Sequence, residues 1–249
     1  MRAIVKSQGA CDLLKGKLLA NVFFEPSTRT SCSFQAAMLR LGGLVVPVNE
    51  NSSSSKKGET LADTIRCMEC YSDVIALLDL YTIYNELGRN LEDLSGKVVT
   101  MVGDLKNGRT VHSLSRLLAL FNVTINYVAP ESLKMPRYIF DELAARGVKQ
   151  HETTDLDSVI NQSDVLYVTR VQKERFESEE EYNAVKDSFV ITLASIANAK
   201  KSMVIMHPLP RVGEIAEEVD ADPRAAYFRQ MENGMYVRMA LLALVLGKK

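Results

Sequence analysis

The 249-residue sequence has no excess of charge of either sign, no long apolar run and few cysteines. Its 30 Lys and Arg residues balance 31 Asp and Glu residues, for a formal net charge of -1. That balance gives no support for a nucleic-acid-binding face or for a surface that binds anionic membranes. The most apolar stretch, near 239–246, is too short for a membrane span, and residues 1–6 lack the apolar core of a signal peptide. We therefore expect a soluble, cytoplasmic protein without membrane or nucleic-acid partners.

The four cysteines fit a reducing compartment. Cys67 and Cys70 form a C-x-x-C motif, but they lie in a helical pattern rather than at the strand-to-helix turn expected of a redox motif. Neither a second pair nor a nearby His completes a tetrahedral metal site. We interpret both cysteines as small buried apolar side chains.

Strand and helix patterns alternate along the chain, which predicts an α/β fold with mostly parallel sheets. In the first part we expect strands at 17–24, 44–48 and 73–77, and helices at 29–41, 59–71 and 78–87. In the second part we expect strands at 97–102, 124–128, 164–168 and 203–206, and helices at 110–121, 132–146 and 179–187. The second pattern is typical of a doubly wound sheet, whose ligands bind at the carboxyl ends of the strands. A long helix over 225–246 is expected to pack back on the first part.

The first predicted strand runs straight into a helix N-terminus at Pro26-Ser27-Thr28-Arg29-Thr30. Pro26 breaks the strand, and Ser27 is a good N-cap. The first helical turn offers unpaired backbone N–H groups, to which the hydroxyls and the Arg29 guanidinium add further donors. This corner is suited to a phosphate or another oxyanion. The alternative is an ordinary capped helix with a solvated arginine.

The strand at 97–102 is followed by G-x-x-x-x-G-R-T, which approaches a phosphate-binding P-loop. Arg109 stands where that motif requires Lys, and Asp104 would repel a triphosphate. A nucleotide-binding protein is therefore the weaker hypothesis for this turn. Arg109 at a helix start is instead a good receptor for a carboxylate.

Two further strand ends carry polar groups. Arg170 and Gln172 follow the strand at 164–168, and their spacing of two places both side chains on the same side of an extended segment. His207-Pro208-Leu209-Pro210 follows the strand at 203–206, where two prolines fix a turn and leave carbonyls free as acceptors. Together with Arg109, these groups suit a dianionic amino acid beside a phosphorylated small molecule. Each arginine by itself is equally consistent with a surface salt bridge.

Taken in order, the S-T-R-T turn, S-x-x-K-K-G-E-T, G-D-L-x-x-G-R-T-V-H-S, T-R-V-Q-K-E-R and H-P-L-P-R closely resemble the aspartate carbamoyltransferase family. The sequence is most similar to the transcarbamoylase domain of animal multifunctional pyrimidine-synthesis proteins. Ornithine carbamoyltransferases share S-T-R-T but have a Cys-containing turn in place of His207–Pro210. The paired Arg109 and Arg170 also suit a dicarboxylate better than ornithine.

The resemblance implies transfer of a carbamoyl group from carbamoyl phosphate to L-aspartate in pyrimidine biosynthesis, with no metal or organic cofactor. It implies two doubly wound domains, residues 1–88 completed by 225–249 for carbamoyl phosphate and residues 89–224 for aspartate. It also implies a homotrimer with shared active sites, and it is consistent with a place within a larger multifunctional polypeptide.

Carried over by motif, the implied site residues fall into two groups. The groups for carbamoyl phosphate are Ser27, Thr28, Arg29 and Thr30, with Ser53 and Lys57 reaching into the neighbouring subunit's site, and Arg29, Thr30 and Lys57 acting in catalysis. The groups for L-aspartate are Arg109, Arg170 and Gln172, with the carbonyls of Leu209 and Pro210 orienting the amine and the carbamoyl group. The loop that carries Ser53 and Lys57, considered without the resemblance, is also consistent with a solvated surface loop.

The sequence departs from the family pattern after Ile75, which joins Ala76 directly. The family has an Arg-His-Pro segment there, then a helix, a strand and a His-Pro-Thr-Gln motif. That segment would supply an Arg, a His and a Gln that contact the carbamoyl group and the phosphate, and removal of one such donor costs about 100- to 1000-fold in rate. The sequence therefore predicts a shortened first domain. Two hypotheses follow: an active carbamoyltransferase, or an impaired family member that associates with intact subunits.

Overall fold

The computed structural model describes residues 1–23, 28–49, 78–88 and 94–248, and the chain divides into two compact units. Unit 1 comprises Met1–Leu78 and Met231–Lys249, and unit 2 comprises Asp79–Gln230. The sequence analysis placed the two boundaries at 88/89 and 224/225. In the structure, the first boundary lies ten residues earlier and the second lies six residues later.

Unit 1 contains two parallel strands, β1 (Leu18–Phe23) and β2 (Leu44–Asn49), which pair from Leu18 opposite Leu44 to Phe23 opposite Asn49. Helix α1 (Arg2–Gln8) precedes β1, and α2 (Thr28–Arg40) connects the strands in a β-α-β arrangement. The predictions of strands at 17–24 and 44–48 and of a helix at 29–41 are confirmed. The predicted helix at 59–71 and strand at 73–77 lie outside the described residues.

The last helix, α8 (Tyr227–Val245), begins in unit 2 and continues through unit 1. Within unit 1 it is joined to α1 by an ion pair between Lys6 Nζ and Glu232 Oε1 at 2.6 Å. It also contacts α2, where Arg238 Nη1 donates to Ser33 Oγ at 3.2 Å. The expectation that the C-terminal helix packs on the first part of the chain is confirmed.

Unit 2 is built on a five-stranded, wholly parallel sheet in the order β5-β4-β3-β6-β7. Its strands are β3 (Val98–Val102), β4 (Thr124–Val128), β5 (Lys149–Thr153), β6 (Val165–Val168) and β7 (Val204–Met206). Its helices are α3 (78–86, whose first residue closes unit 1), α4 (Arg109–Leu118), α5 (Arg137–Ala145), α6 (Asp157–Ile160) and α7 (Glu179–Val185). The predicted doubly wound sheet is confirmed.

The central strands of unit 2 are buried on both faces. Alternate residues of each strand point to opposite sides of the sheet, and each side is covered by an apolar cluster. Val99 and Met101 of β3 belong to one apolar cluster with Leu114 of α4. Leu166 of β6 belongs to the second cluster with Ile160 of α6. Full burial of such a side chain contributes about 1.5–3 kcal/mol, so these two layers hold the strand ends in fixed positions.

Three elements of unit 2 differ from the sequence prediction, and one of them is the four-residue helix α6, which was not predicted. Strand β5 was not predicted, because its sequence K-Q-H-E-T is polar and the strand lies at the sheet edge, where little apolar area is buried. The single helix predicted at 132–146 was wrong in its first part. A short 3-10 turn at Glu131–Leu133 ends before Pro136, and α5 begins only at Arg137, since a proline disfavours helical geometry in the residue before it.

None of the described helices combines the length and the apolar character needed to cross a lipid bilayer.

Candidate active site

The candidate site in unit 2 lies at the point where the strand order reverses. From β3 the chain winds outward through β4 and β5 on one side, and then returns to β6 and β7 on the other. In open α/β sheets, ligands bind at the carboxyl ends of the strands at such a switch point. Arg109, Arg170 and Leu209 follow β3, β6 and β7 at this edge, as the sequence predicted.

The loops after β3 and β6 approach each other very closely. Gly103 has φ of 116°, and a Cβ atom at this position would overlap the carbonyl oxygen of Thr169. The Thr169 N–H donates to the Val102 carbonyl at 2.8 Å, and the Thr169 hydroxyl donates to the same oxygen at 3.1 Å. The first residues of the two loops are therefore held in one place.

The loop 103–108 is closed by its own hydrogen bonds. The N–H groups of Leu105 and Lys106 both donate to the Leu133 carbonyl, at 3.1 and 3.0 Å. The Asn107 N–H donates to Oδ1 of the fully buried Asp104 at 2.9 Å. A P-loop aims such N–H groups at phosphate. Because these three N–H groups already have acceptors within the protein, the turn does not form a phosphate cradle. This observation disfavours the nucleotide-binding hypothesis.

Arg109 is the first residue of α4, directly after the N-cap Gly108. Its side chain is exposed, and its guanidinium makes no hydrogen bond or ion pair with the described part of the chain. The N-terminus of α4 adds the positive end of the helix dipole. A planar guanidinium fork at the positive end of a helix is suited to a carboxylate.

Arg170 and Gln172 follow β6 in a segment without helical structure, and Gln172 has extended backbone angles. Both side chains are half-buried. A short 3-10 turn at Lys173–Arg175 then leads the chain away. The structure thus brings a second guanidinium and a carboxamide to the same sheet edge as Arg109.

The turn after β7 contains Leu209 and Pro210, joined by a cis peptide bond. Leu209 has φ of 49°, which is an uncommon conformation for a leucine and needs support from its surroundings. That support comes from His207, which is 1% exposed and whose Nδ1 accepts a hydrogen bond from the Leu209 N–H at 2.7 Å. The sequence singled out His207 only as part of the turn.

The other ring nitrogen of His207 is bound as well. Nε2 lies 2.7 Å from Oε1 of the buried Glu214. Because a backbone N–H can only donate, Nδ1 is an acceptor, and Nε2 therefore carries the proton that is donated to Glu214. Burial raises the pKa of the Glu214 carboxyl, but hydrogen bonds from His207 and from backbone N–H groups outweigh it and leave this pKa below its usual value.

Arg211, which follows the turn, forms an ion pair with Asp220. Its two terminal nitrogens donate to the carboxylate of Asp220, and the Tyr227 hydroxyl donates to the same carboxylate. The pairing with Arg211 holds the pKa of Asp220 below its usual value. Arg211 is therefore a structural ion-pair partner, unlike Arg109.

A buried chain of hydrogen bonds connects the start of unit 2 to this turn, and sequence reasoning missed it. Asp79 is 2% exposed and accepts from the Tyr167 hydroxyl and from Gln230 Nε2, both at 2.7 Å. Gln230 Oε1 in turn accepts the His207 N–H at 2.9 Å. Burial, and then the Asp79 charge, raise the pKa of Tyr167 well above its usual value. The partners are up to 151 positions apart, so no local pattern could have indicated them.

In unit 1, the predicted anion corner is described only in part. Thr28, Arg29 and Thr30 form the first turn of α2, with Thr28 and Arg29 exposed and no acidic residue in that turn. This arrangement suits an oxyanion. Ser27, Ser53 and Lys57 lie outside the described residues.

Within the described part of the chain, no group of three or more His, Cys, Asp or Glu side chains is placed to hold a metal ion. Cys11 and Cys32 are free thiols, while Cys67 and Cys70 are not described.

The sheet order defines an α/β protein, and the candidate ligand groups lie at the switch point of its parallel sheet. Family models agree and are more specific. The model described as the Asp/Orn binding domain of aspartate/ornithine carbamoyltransferase matches residues 95–245. The model of the carbamoyl-P binding domain of the same proteins matches residues 1–79. The chain belongs to the aspartate/ornithine carbamoyltransferase family.

Among characterised relatives, the multifunctional protein pyr1-3 of Dictyostelium discoideum is 53% identical over 281 residues, which cover 99% of this chain and 12% of that protein. The aspartate carbamoyltransferase catalytic subunit of Thermococcus kodakarensis is 48% identical over 278 residues, which cover 98% of this chain and 88% of that subunit. The chain thus spans a small part of the multifunctional relative and most of the archaeal subunit.

Two solved structures show the same fold. Aspartate transcarbamoylase from Trypanosoma cruzi, in complex with N-(phosphonacetyl)-L-aspartic acid, superposes with a TM-score of 0.84 at 42% identity, covering 97% of this chain and 87% of that one. The catalytic subunit of M. jannaschii aspartate transcarbamoylase gives a TM-score of 0.85 at 42% identity, covering 98% and 91%.

The match to the Dictyostelium protein runs over 281 residues, although this chain has 249. At least 32 positions of that match therefore have no counterpart here. This difference supports the missing internal segment that the sequence predicted after Ile75.

Proposed function

We propose that the chain transfers the carbamoyl group from carbamoyl phosphate to L-aspartate, giving N-carbamoyl-L-aspartate and phosphate, in pyrimidine biosynthesis. The observation that carries this proposal is the edge of unit 2, where Arg109, Arg170 and Gln172 accompany an acceptor turn at Leu209–Pro210. Family membership and the close similarity to aspartate carbamoyltransferase catalytic subunits support it.

The edge of unit 2 has the chemistry for a dicarboxylic amino acid. Two guanidinium groups and one carboxamide offer donors to two carboxylates. The carbonyls of Leu209 and Pro210 offer acceptors to the attacking amine. L-ornithine has one carboxylate and a second amine, so it would offer only one carboxylate to the two guanidinium groups.

We assign carbamoyl phosphate to the donors at the start of α2: Ser27, Thr28, Arg29 and Thr30, with Ser53 and Lys57 from a neighbouring subunit. The aspartate amine attacks the carbamoyl carbon, phosphate leaves, and the cationic donors Arg29 and Lys57, with Thr30, stabilise the charge that develops on oxygen. Juxtaposition of the two substrates supplies the rest of the acceleration.

Shared sites of this kind require an oligomer, and we propose the homotrimer that the family resemblance implies as the active assembly. The similarity to multifunctional proteins supports a further proposal, that the sequence is one part of a larger polypeptide. Sedimentation equilibrium tests the trimer directly, because a monomer would leave Lys57 without a neighbouring site. A cytoplasmic location stays a prediction that cell fractionation would test.

Formation of N-carbamoyl-L-aspartate by the purified chain tests the proposed reaction. Product should require both carbamoyl phosphate and L-aspartate. It should be strongly reduced in Arg29→Ala, which removes a cationic donor, and unchanged in the matched control Arg146→Ala, which removes an exposed arginine at the end of α5. A folded trimer that forms no product would refute the proposal.

A second function is favoured by one observation, the 32 or more positions of the Dictyostelium relative that have no counterpart here. We propose as the alternative that the chain is an impaired family member that associates with intact subunits. Mixing it with a full-length catalytic subunit should then change the activity of the mixed trimers. No co-sedimentation with such subunits would exclude this alternative.

A further inference from the structure

The turn after β7 is unusual in the hydrogen-bonding groups that it can offer. Pro208 and Pro210 have no backbone N–H, so the Leu209 N–H is the single main-chain donor of these three residues. That donor is already used by His207 Nδ1 at 2.7 Å. The turn therefore offers carbonyl acceptors and no main-chain donor to a ligand.

The proton arrangement of His207 depends on its second partner. Glu214 accepts the Nε2 proton through Oε1 at 2.7 Å, and its Oε2 accepts the Val212 N–H at 2.9 Å. Both carboxylate oxygens are thus engaged, at a residue that is 7% exposed. With Nε2 protonated by this contact, Nδ1 is left as the acceptor that takes the Leu209 N–H.

The backbone of His207 is held as well. Its main-chain N–H donates to Gln230 Oε1 at 2.9 Å, and the residue is 1% exposed. Neither ring nitrogen is available to a substrate, so His207 cannot serve as a general base in this arrangement. What remains for it is to hold the turn.

We infer that His207 and Glu214 are positioning residues, which remove the one main-chain donor of the Pro208–Pro210 turn and so make it selective for the amine of the carbamoyl acceptor. This inference rests on the proposed function, since that function identifies the amine. A carbonyl-only turn accepts hydrogen bonds from an ammonium or amine group and gives none to an oxyanion, which directs the amine to the turn and the carboxylates to the arginines.

Two variants separate the contacts of His207. In His207→Asn, Oδ1 occupies the place of Nδ1 and can still accept the Leu209 N–H. In His207→Gln, the side-chain amide occupies the place of Nε2 and keeps the contact with Glu214, but the acceptor for Leu209 is lost. A residue that merely fills space would make no distinction between them.

The first readout needs no ligand. Imidazole ¹⁵N spectra of the unmodified chain, which has only three His, should show Nε2 protonated and Nδ1 unprotonated at His207. Hydrogen exchange of the Leu209 amide should be slow in the unmodified chain and in His207→Asn, and fast in His207→Gln. A protonated Nδ1, or equal exchange of Leu209 in both variants, would overturn the inference.

The second readout is calorimetric titration with L-aspartate in saturating inorganic phosphate. Loss of one neutral hydrogen bond corresponds to about two- to tenfold in affinity, and we expect a loss in that range in His207→Gln and a smaller one in His207→Asn. Equal affinity in the two variants would contradict the inference. If the unmodified chain shows the expected tautomer and exchange but binds no L-aspartate, the proposed function fails while the positioning of the turn by His207 stands.

Discussion

Unit 2 carries its predicted ligand groups on a five-stranded sheet, whereas the described part of unit 1 has a two-stranded sheet. All five aspartate-side residues are described, but only Thr28, Arg29 and Thr30 of the six residues assigned to carbamoyl phosphate are. In unit 2, buried polar side chains fix the turn that contains Leu209 and Pro210. In unit 1, the described donors depend on the first turn of one helix. The predicted turn for the acceptor amine is therefore supported by buried side-chain contacts, and the described groups for carbamoyl phosphate by the N-terminus of α2.

The largest effect is expected from Asp79→Ala, which would break the buried chain that distinguishes unit 2. Tyr167 and Gln230 would each lose the acceptor of a buried donor, at about 1–3 kcal/mol each. Chemical denaturation should show a loss of about 2–6 kcal/mol, with Asp79→Asn losing less because it keeps one acceptor oxygen. A change of under about 0.5 kcal/mol would mean that these bonds do not support the sheet.

The stabilities of Gly103→Ala in unit 2 and Gly43→Ala in unit 1 compare how tightly the two units are packed around a glycine. At Gly103 the new methyl would meet the backbone carbonyl of Thr169 and require an unfavourable φ, which together cost about 2–5 kcal/mol. At Gly43 in unit 1 it would meet the flexible end of Met38, which can move. Gly147→Ala, with φ of 78° and open space, isolates the effect of φ.

Denaturation should rank Gly103→Ala as the most destabilising of the three variants, and L-aspartate binding should fall only in that one. A Gly103→Ala protein as stable as Gly147→Ala would show that the loops after β3 and β6 do not approach as described.

Arg109→Ala should weaken L-aspartate binding without changing stability, because its guanidinium is exposed and has no partner among the described residues. A hydrogen-bonded contact between charged groups is worth about 1.5–3 kcal/mol, so the dissociation constant should rise about 10- to 100-fold. Arg109→Lys keeps the charge but not the fork and should recover only part of the affinity. Arg211→Ala should behave differently, losing stability first, because Arg211 is paired with Asp220.

The smallest effect concerns pH. Burial is the main reason why the pKa of His112 is lowered, and its Nε2–H donates to the Leu105 carbonyl at 2.8 Å. The unfolded chain then binds more protons than the folded chain below the ordinary pKa of 6.5. The contribution of neutral His112 to the free energy of unfolding is complete above pH 6.5. It is lost as the pH falls from there through the lower pKa of the folded state.

Denaturation at pH 7.5 and 5.5 should therefore show a smaller pH effect in His112→Gln, whose amide can still donate to Leu105. The matched control His151→Gln, at an exposed position of β5, should keep the full effect. An unchanged pH effect in His112→Gln would assign it to other groups.

Most of the sheet could be predicted from the sequence because β3, β4 and β6 are short apolar runs that a buried parallel strand requires. Arg109, Arg170 and Leu209 could be placed at one edge for the same reason, since each lies in the segment that follows a predicted strand. β5 could not, because a polar edge strand has no apolar pattern. The roles of Asp79, Gln230 and Glu214 could not either, because they depend on partners that the fold brings together.

The most direct test of the account is a pair of calorimetric titrations in saturating phosphate, one with L-aspartate and one with L-ornithine. The edge of unit 2, with two guanidinium groups and a carbonyl-only turn, predicts that L-aspartate binds and that L-ornithine does not. Equal binding of both amino acids, or binding of L-ornithine alone, would contradict the assignment of this edge to a dicarboxylate.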